Sequence, residues 1–252
     1  MGTSSSRSGK KDNRKKSSIS GEQTEVESNV WLRLKRAATS YYSGGKMQFS
    51  DVCKRYVEAI GGISNHHSRT NAKYRRAIGS VLAFYHIAIS KGFKSAFETN
   101  GIKFDKNNID KSIALLVDNI YPDAVTPEDV ANRETIAESF YEFVIANVDN
   151  EEKITEEVAN DSLQKVIESQ IVNSILLLIE NSCPKSLEQS NSVLVKKEHD
   201  KAKKEILVAV REEMKKRGTS IYDYTVELIE MIEQSSLSVL TIKSKGVKKD
   251  EK

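Results

Sequence analysis

The residues at the amino terminus of the chain could take part in chemistry that a folded domain would hinder. Met1 is followed by Gly2 and then by the small hydroxyl residues Thr3, Ser4 and Ser5. Because Gly2 is small, we expect an aminopeptidase to remove Met1 and expose the Gly2 α-amine. The three hydroxyl residues add hydrogen-bonding groups without bulk, and a partner could recognise the tail through them.

The α-amine of Gly2 differs from the many lysine amines of the chain. An α-amine has a pKa of about 7.7–8.0, against about 10.4 for lysine, so roughly a third of it is neutral at pH 7.5 and only about 0.1% of a lysine is. Glycine also lacks a Cβ, so a narrow enzyme slot can admit it. The sequence therefore predicts Gly2 as the preferred nucleophile towards an activated carboxylate, and so as a modification acceptor.

Two other interpretations of the tail stay open. Residues 1–27 are polar and basic and have little to bury, so they are expected to be disordered, and such a tail is often passive. Gly2 and Ser6 also match the myristoylation pattern, with the basic run as a second membrane signal, which would need a eukaryotic cytosol.

Charge is distributed unevenly along the chain. Residues 1–20 carry a net charge of +5 and residues 241–252 a net charge of +3, so the overall charge of +3 leaves −5 for the part between them. A duplex-binding domain usually has a basic folded face. We therefore expect the basic ends to bind nucleic acid only weakly.

The remaining reactive side chains favour structural roles. Cys53 and Cys183 lie far apart with no C-x-x-C motif, which is typical of reduced, packed thiols. His66 and His67 are adjacent and lack further ligands at useful spacing, so no metal site is predicted. His86 lies on an apolar helix and is expected to be hydrogen-bonded, whereas His199 follows Glu198 on a charged face and is expected to be solvated.

No sequence motif for catalysis or cofactor binding is present. The chain has no phosphate-binding G-x-x-x-x-G-K-[ST] loop, no G-x-G-x-x-G turn, no G-x-S-x-G elbow and no H-E-x-x-H motif. Lysines 196–204 alternate with acidic residues at helical spacing, which favours an exposed, self-paired helix. We therefore expect a non-enzymatic protein that needs no cofactor.

The elements that position these residues are predicted to be helices. Apolar residues recur at three- and four-residue steps, and the chain contains three prolines and no long alternating stretch. The sequence predicts an all-α fold, a single helical domain of about eight helices over residues 28–240, between disordered basic tails at 1–27 and 241–252. Helical patterning covers 30–42, 49–60, 68–90, 93–98, 108–120, 127–146, 155–181, 186–217 and 220–240. The segment 155–181 is the most apolar and is predicted to be the central core helix.

Several stretches resemble the QatB family, the second component of the bacterial Qat anti-phage system. They are the opening MGTSSS, YYSGGKMQFSDVCKRYVEAIGG, SRTNAKYRRAIGSVLAFYHIAISKGFKSAFETNGI and ETIAESFYEFVIANV. The resemblance extends from about Trp31 to Arg217 and includes the first five residues. The spacer after those residues is rich in Lys, Arg and Ser, where the family has Gly and Pro.

The resemblance implies a function for the tail. Qat systems pair QatB with an ATPase (QatA), a QueC-like enzyme (QatC) and a TatD-like nuclease (QatD). A QueC-like enzyme uses ATP to activate the carboxylate of a 7-deazaguanine and could transfer it to a protein amine, for which Gly2 fits as acceptor. The expected protein is a cytoplasmic helical scaffold with no membrane association. Its flexible amino-terminal tail carries Gly2 and has an expected reach of about 25–30 Å.

Overall fold

Helices make up most of the chain. The computed structural model describes residues 19–69, 72–122, 126–148, 154–188, 190–218 and 220–243. Within these ranges the chain forms eleven α-helices, a short 3-10 turn at Ile221–Asp223 and no β-strand, so the predicted all-α class is confirmed. The helices are α1 (Ile19–Tyr42), α2 (Phe49–Ala59), α3 (Ser64–Arg69), α4 (Ala72–Lys91), α5 (Phe93–Thr99), α6 (Ile109–Ile120), α7 (Pro127–Asn147), α8 (Glu156–Asn181), α9 (Pro184–Glu188), α10 (Ser192–Arg217) and α11 (Val226–Lys243).

The first helix begins earlier than the sequence predicts. α1 starts at Ile19, within the range 1–27 that was expected to be disordered, while residues 1–18 lie outside the described ranges. The stretch GEQTEVES that opens this helix is rich in the good helix formers Glu and Gln and contains no proline. It has few apolar residues, so it gives little periodic signal from which a helix could be predicted.

The last helix also passes its predicted boundary. α11 ends at Lys243, three residues beyond the expected end of the helical domain at 240, and residues 244–252 lie outside the described ranges. The segment from 220 onwards opens with the 3-10 turn rather than directly with a helix. The Ser220 hydroxyl caps this turn by accepting a hydrogen bond from the Tyr222 amide at 3.3 Å.

Helical structure near one predicted segment begins earlier than expected, and another predicted helix is divided. α3 begins at Ser64, before the predicted segment 68–90, and places His66 in the interior between α2 and α11. The segment 186–217 is split into α9 and α10. Asn191 starts α10, because its side-chain oxygen accepts a hydrogen bond from the Val193 amide at 2.9 Å.

The start of α7 lies where the sequence predicts it. The Thr126 hydroxyl accepts a hydrogen bond from the Asp129 amide at 3.0 Å, and the Asp129 carboxylate accepts one from the Thr126 amide at 3.3 Å. Pro127 occupies the first helical position, where no amide proton is needed. This reciprocal capping box fixes the helix start locally.

The predicted central helix is α8. It packs against α4, α7, α10 and α11, and its buried apolar residues point in most directions around the helix. Among the residues that the structure describes, no helix, including α8, is both long and apolar enough to cross a membrane. The buried apolar residues of α8 are Ala159, Leu163, Val166, Ile167, Ile171, Val172, Ile175, Leu176 and Ile179.

Aromatic side chains join α4, α5 and α7 beside this core. The ring of Phe84 lies 5.4 Å from that of Phe97 and 4.7 Å from that of Phe140, measured between centroids. Tyr85 lies 4.8 Å from Phe143 in the same way. Such tilted and edge-on contacts add stability beyond the apolar area that they bury.

Two glycines offer a direct test of the helical geometry. A Cβ at Gly79, inside α4, would lie 3.8 Å from Val226 Cγ2, an ordinary contact, so glycine is not needed there. We expect Gly79→Ala to raise the free energy of unfolding by about 0.5–1 kcal/mol, because alanine favours helix. Urea denaturation measures this.

The control is Gly218, which ends α10. A Cβ there would meet nothing within 4 Å, but its φ of +54° disfavours any residue with a side chain. Gly218→Ala should lower the free energy of unfolding by about 1 kcal/mol. Equal effects of the two substitutions would contradict this description of the backbone.

Candidate functional site

The predicted acceptor site lies outside the described part of the chain. Gly2 and the three hydroxyl residues Thr3, Ser4 and Ser5 all belong to residues 1–18. The structure does describe the helix that follows them. Because α1 begins at Ile19, any tail that carries the acceptor joins the helical body earlier than the predicted boundary at residue 28.

The second half of α1 is held to the body by hydrogen bonds. The Tyr41 hydroxyl donates to the Glu198 carbonyl oxygen of α10 at 2.7 Å, and the Tyr42 hydroxyl donates to Glu180 Oε1 of α8 at 2.7 Å. The Ser186 hydroxyl of α9 donates to the Lys35 carbonyl oxygen at 3.2 Å. The helix that follows the tail therefore has a defined place in the fold.

A buried polar cluster links α2, α3 and α11. His66 Nδ1 lies 3.2 Å from the Tyr56 hydroxyl, and His66 Nε2 lies 3.0 Å from Glu233 Oε1. A neutral ring with its proton on Nε2 satisfies both contacts, because Nε2 then donates to the carboxylate and Nδ1 accepts from the hydroxyl. All three residues are fully buried, so the cluster joins helices and presents no group to a substrate. The neighbouring His67 side chain lies outside the described side chains.

A second polar cluster corrects the prediction for His199. Its Nδ1 lies 2.8 Å from Glu180 Oε1, the same oxygen that accepts from Tyr42, and its side chain is 28% exposed. His199 is therefore partly buried and paired rather than solvated. Burial, and then the Glu180 carboxylate, raise the pKa of Tyr42, so its hydroxyl keeps its proton and remains a donor.

The prediction for His86 is confirmed. Its Nε2 lies 3.1 Å from the Ile221 carbonyl oxygen, and its ring is stacked on that of Tyr222 with centroids 5.8 Å apart. A carbonyl oxygen only accepts, so Nε2 carries the proton. His86 thus fixes the 3-10 turn against α4.

Both cysteines are free and buried, as the sequence predicts. Cys53 has no exposed surface and Cys183 has 1%. Burial raises the pKa of the Cys53 thiol and raises that of Cys183 to about 12. Because the thiolate is the reactive form, neither residue offers a nucleophile near neutral pH.

A groove that sequence reasoning missed runs between α7 and α10, over α8. It encloses about 480 Å³, within the range of small-molecule sites. α7 contributes Glu138 and Glu142, and α10 contributes Lys203 and Lys204. The two walls therefore carry opposite charges. No sequence motif indicates this groove, because its wall residues come from distant parts of the chain.

The groove partly corrects the prediction that lysines 196–204 are self-paired. Lys201 does pair with Glu198, at 3.6 Å. Within the described ranges, however, Lys203 and Lys204 have no acidic partner within 4 Å. They face the groove instead of a carboxylate on their own helix.

Within the described ranges, metal-ligating side chains are not brought together in the structure. Among the residues it describes, no three His, Cys, Asp or Glu side chains form a group that could hold a metal ion.

Comparison with protein-family models, curated proteins and solved structures finds no match to this chain.

The two histidine–glutamate pairs predict different effects on stability. His66→Ala leaves Tyr56 and Glu233 buried without this partner, so we expect it to lower the free energy of unfolding by about 3 kcal/mol or more. His199→Ala removes a partner whose side chain is 28% exposed, and Glu180 keeps its hydrogen bond from Tyr42, so the loss should be about 1 kcal/mol or less. Urea unfolding of both variants measures the difference, and equal losses would show that burial does not set these energies.

The buried thiols predict resistance to modification. We expect the native protein at pH 8 to react very slowly with Ellman's reagent, because both thiols are buried and their pKa values are raised. The unfolded protein should release two equivalents at once. Rapid reaction of either thiol in the native protein would contradict the packing around it.

Proposed function

We propose that this chain is a non-enzymatic helical component of a Qat-like anti-phage system, and that the Gly2 α-amine accepts a deazaguanine from a QueC-like enzyme. The observation on which this depends is a small glycine terminus within the opening MGTSSS, one of the stretches that resemble the QatB family. The other components would be a QatA-like ATPase and a QatD-like nuclease, and the system would act in the cytoplasm.

The chemistry of the terminus supports this assignment. The neutral α-amine attacks the carbonyl carbon of the activated deazaguanine carboxylate, displaces the activating group and loses a proton, and an amide bond results. ATP consumed by the partner enzyme supplies the activation. At neutral pH the α-amine is neutral in a far larger fraction than a lysine amine, so it competes well against the lysines at positions 10, 11, 15 and 16.

The location of the resembling stretches also supports a division of labour. The three internal stretches supply the end of α1, α2, α4, α5 and most of α7. Their aromatic residues are largely buried, Tyr56, Phe84 and Phe140 among them. Residues of this kind maintain a fold, which leaves the amino terminus as the place for the proposed reaction.

The structure shortens the tether that this proposal needs. With α1 starting at Ile19, the tether is residues 2–18. A flexible chain of that length would reach about 21–25 Å, against about 25–30 Å for the longer tail predicted from the sequence. This reach still allows the terminus to enter a partner's cleft while the helical body binds elsewhere.

Intact-protein mass spectrometry tests the proposal. The chain is incubated with a QueC-like partner, ATP and a carboxylated deazaguanine. We expect a mass increase of one deazaguanine acyl group, located by peptide sequencing to Gly2. An unmodified mass in the presence of a partner shown to activate its substrate would refute the proposal.

Two variants test whether the Gly2 α-amine is the acceptor and whether the lack of a Cβ matters for its modification. Replacing Lys10, Lys11, Lys15 and Lys16 together by Arg keeps the charge but removes the neighbouring amines, and modification should persist. Gly2→Ala still allows Met1 removal but adds a Cβ, and modification should fall at least tenfold if the slot is narrow. Loss of modification in the arginine variant would point to a lysine acceptor instead.

A further inference from the structure

The groove between α7 and α10 has a polarity that a single simple ion does not match. Both helices pack on α8, which forms the floor with Ser169, Val172 and Asn173. The α7 wall presents the carboxylates of Glu138 and Glu142, and the α10 wall presents the ammonium groups of Lys203 and Lys204. A ligand that satisfies both walls needs an anionic group at one end and hydrogen-bond donors at the other.

These wall charges are not neutralised by each other. Within the described ranges, none of Glu138, Glu142, Lys203 and Lys204 has an oppositely charged group within 4 Å. Lys165 on the floor is likewise without an acidic partner in that part of the chain. All five side chains belong to exposed residues, so they can reorient towards a ligand without leaving a buried charge unpaired.

An ion pair between α8 and α10 also lines the groove. Arg211 of α10 donates to Glu168 Oε2 of α8 from Nε at 3.0 Å and from Nη2 at 2.9 Å. Glu168 is only 14% exposed, so the pair is partly shielded from water. It links α10 to α8 beside the groove, although the Arg211 side chain is itself 59% exposed.

The hydroxyl groups of the α7 wall add acceptors rather than donors. The Thr135 hydroxyl already donates to the Ala131 carbonyl oxygen, and the Ser139 hydroxyl donates to the Thr135 carbonyl oxygen. The Thr135 hydroxyl also accepts from Asn173 Nδ2 at 2.8 Å, so the Ser139 hydroxyl has more acceptor capacity left than Thr135 has. Together with the two carboxylates, they make this wall specific for a ligand edge with adjacent N–H groups.

We propose that this groove binds a guanine nucleotide, independently of the proposed reaction at Gly2. The phosphate lies against Lys203 and Lys204, where ammonium groups act as point charges for phosphate. The adjacent N1–H and N2–H₂ donors of the guanine edge face Glu138 and Glu142, since carboxylates only accept. Val172 and Leu207 provide apolar contact for the ring. Adenine presents one amino group beside an acceptor nitrogen, which the carboxylates would repel.

Isothermal titration calorimetry of the full-length chain tests this with GMP, AMP and inorganic phosphate. We expect GMP to reach half-saturation at or below about 1 mM and AMP or phosphate to bind at least about tenfold more weakly. Equal affinities for GMP and phosphate would show that the lysines bind an anion and that the guanine base contributes nothing, which would overturn the proposal. Failure of GMP to bind would overturn it as well.

Double substitutions test which wall of the groove binds the phosphate of GMP and which wall binds its guanine base. Lys203→Ala with Lys204→Ala should weaken GMP binding at least tenfold, whereas Lys196→Ala with Lys197→Ala, on the same helix but outside the groove, should not change it. Glu138→Gln with Glu142→Gln should weaken GMP binding but not phosphate binding, because removal of the two carboxylates lowers the repulsion of an anion. Amide chemical shifts of the unaltered protein, titrated with GMP, should move in α7, α8 and α10. Shifts confined to other helices, or no effect of the groove substitutions, would refute the site.

Discussion

The burial of α8 is the constraint on which the rest of the structure depends. Its apolar residues point in most directions, so the helix can be stable only if other helices surround it. Each fully buried Leu or Ile, such as Leu163 or Ile175, contributes about 1.5–3 kcal/mol relative to exposure. α4, α7, α10 and α11 meet this requirement by packing on α8. The groove between α7 and α10 exists because both walls are held on one common floor.

Hydrophobic burial is not directional, so other interactions decide how the helices are placed around α8. Two polar clusters serve this purpose, one fully buried around His66 and one partly exposed at His199. Tyr42, Glu180 and His199 join α1, α8 and α10 at a single carboxylate oxygen. His66 and Glu233 join α3 to α11, 167 residues away along the chain. A shifted arrangement would leave these polar groups buried without partners, which is costly, and the clusters therefore favour one packing.

The two proposed sites follow from opposite physical situations. The reactivity proposed for the Gly2 amine rests on the pKa of an α-amine and on the lack of a Cβ, both properties of the residue itself. The groove owes its character to helices that bring Glu138 and Lys203 to facing walls across α8. In contrast, the buried thiols and tyrosines of the helical body keep their protons near neutral pH, because burial raises their pKa values. They therefore supply no nucleophile.

The sequence by itself determined what depends on local interactions. The all-α class, the start of α7 at Thr126 with Pro127, the end of α10 at Gly218 and the central role of α8 all follow from caps, breakers and apolar periodicity. The chemistry proposed for Gly2 also rests on the sequence alone, because the pKa of an α-amine does not require a fold. Only the tertiary structure decided that His199 is paired, that His66 meets Glu233 and that Lys203 and Lys204 line a groove. Those environments are made by residues far apart in the chain, and a periodic pattern shows which face of a helix is apolar but not which helix packs against it.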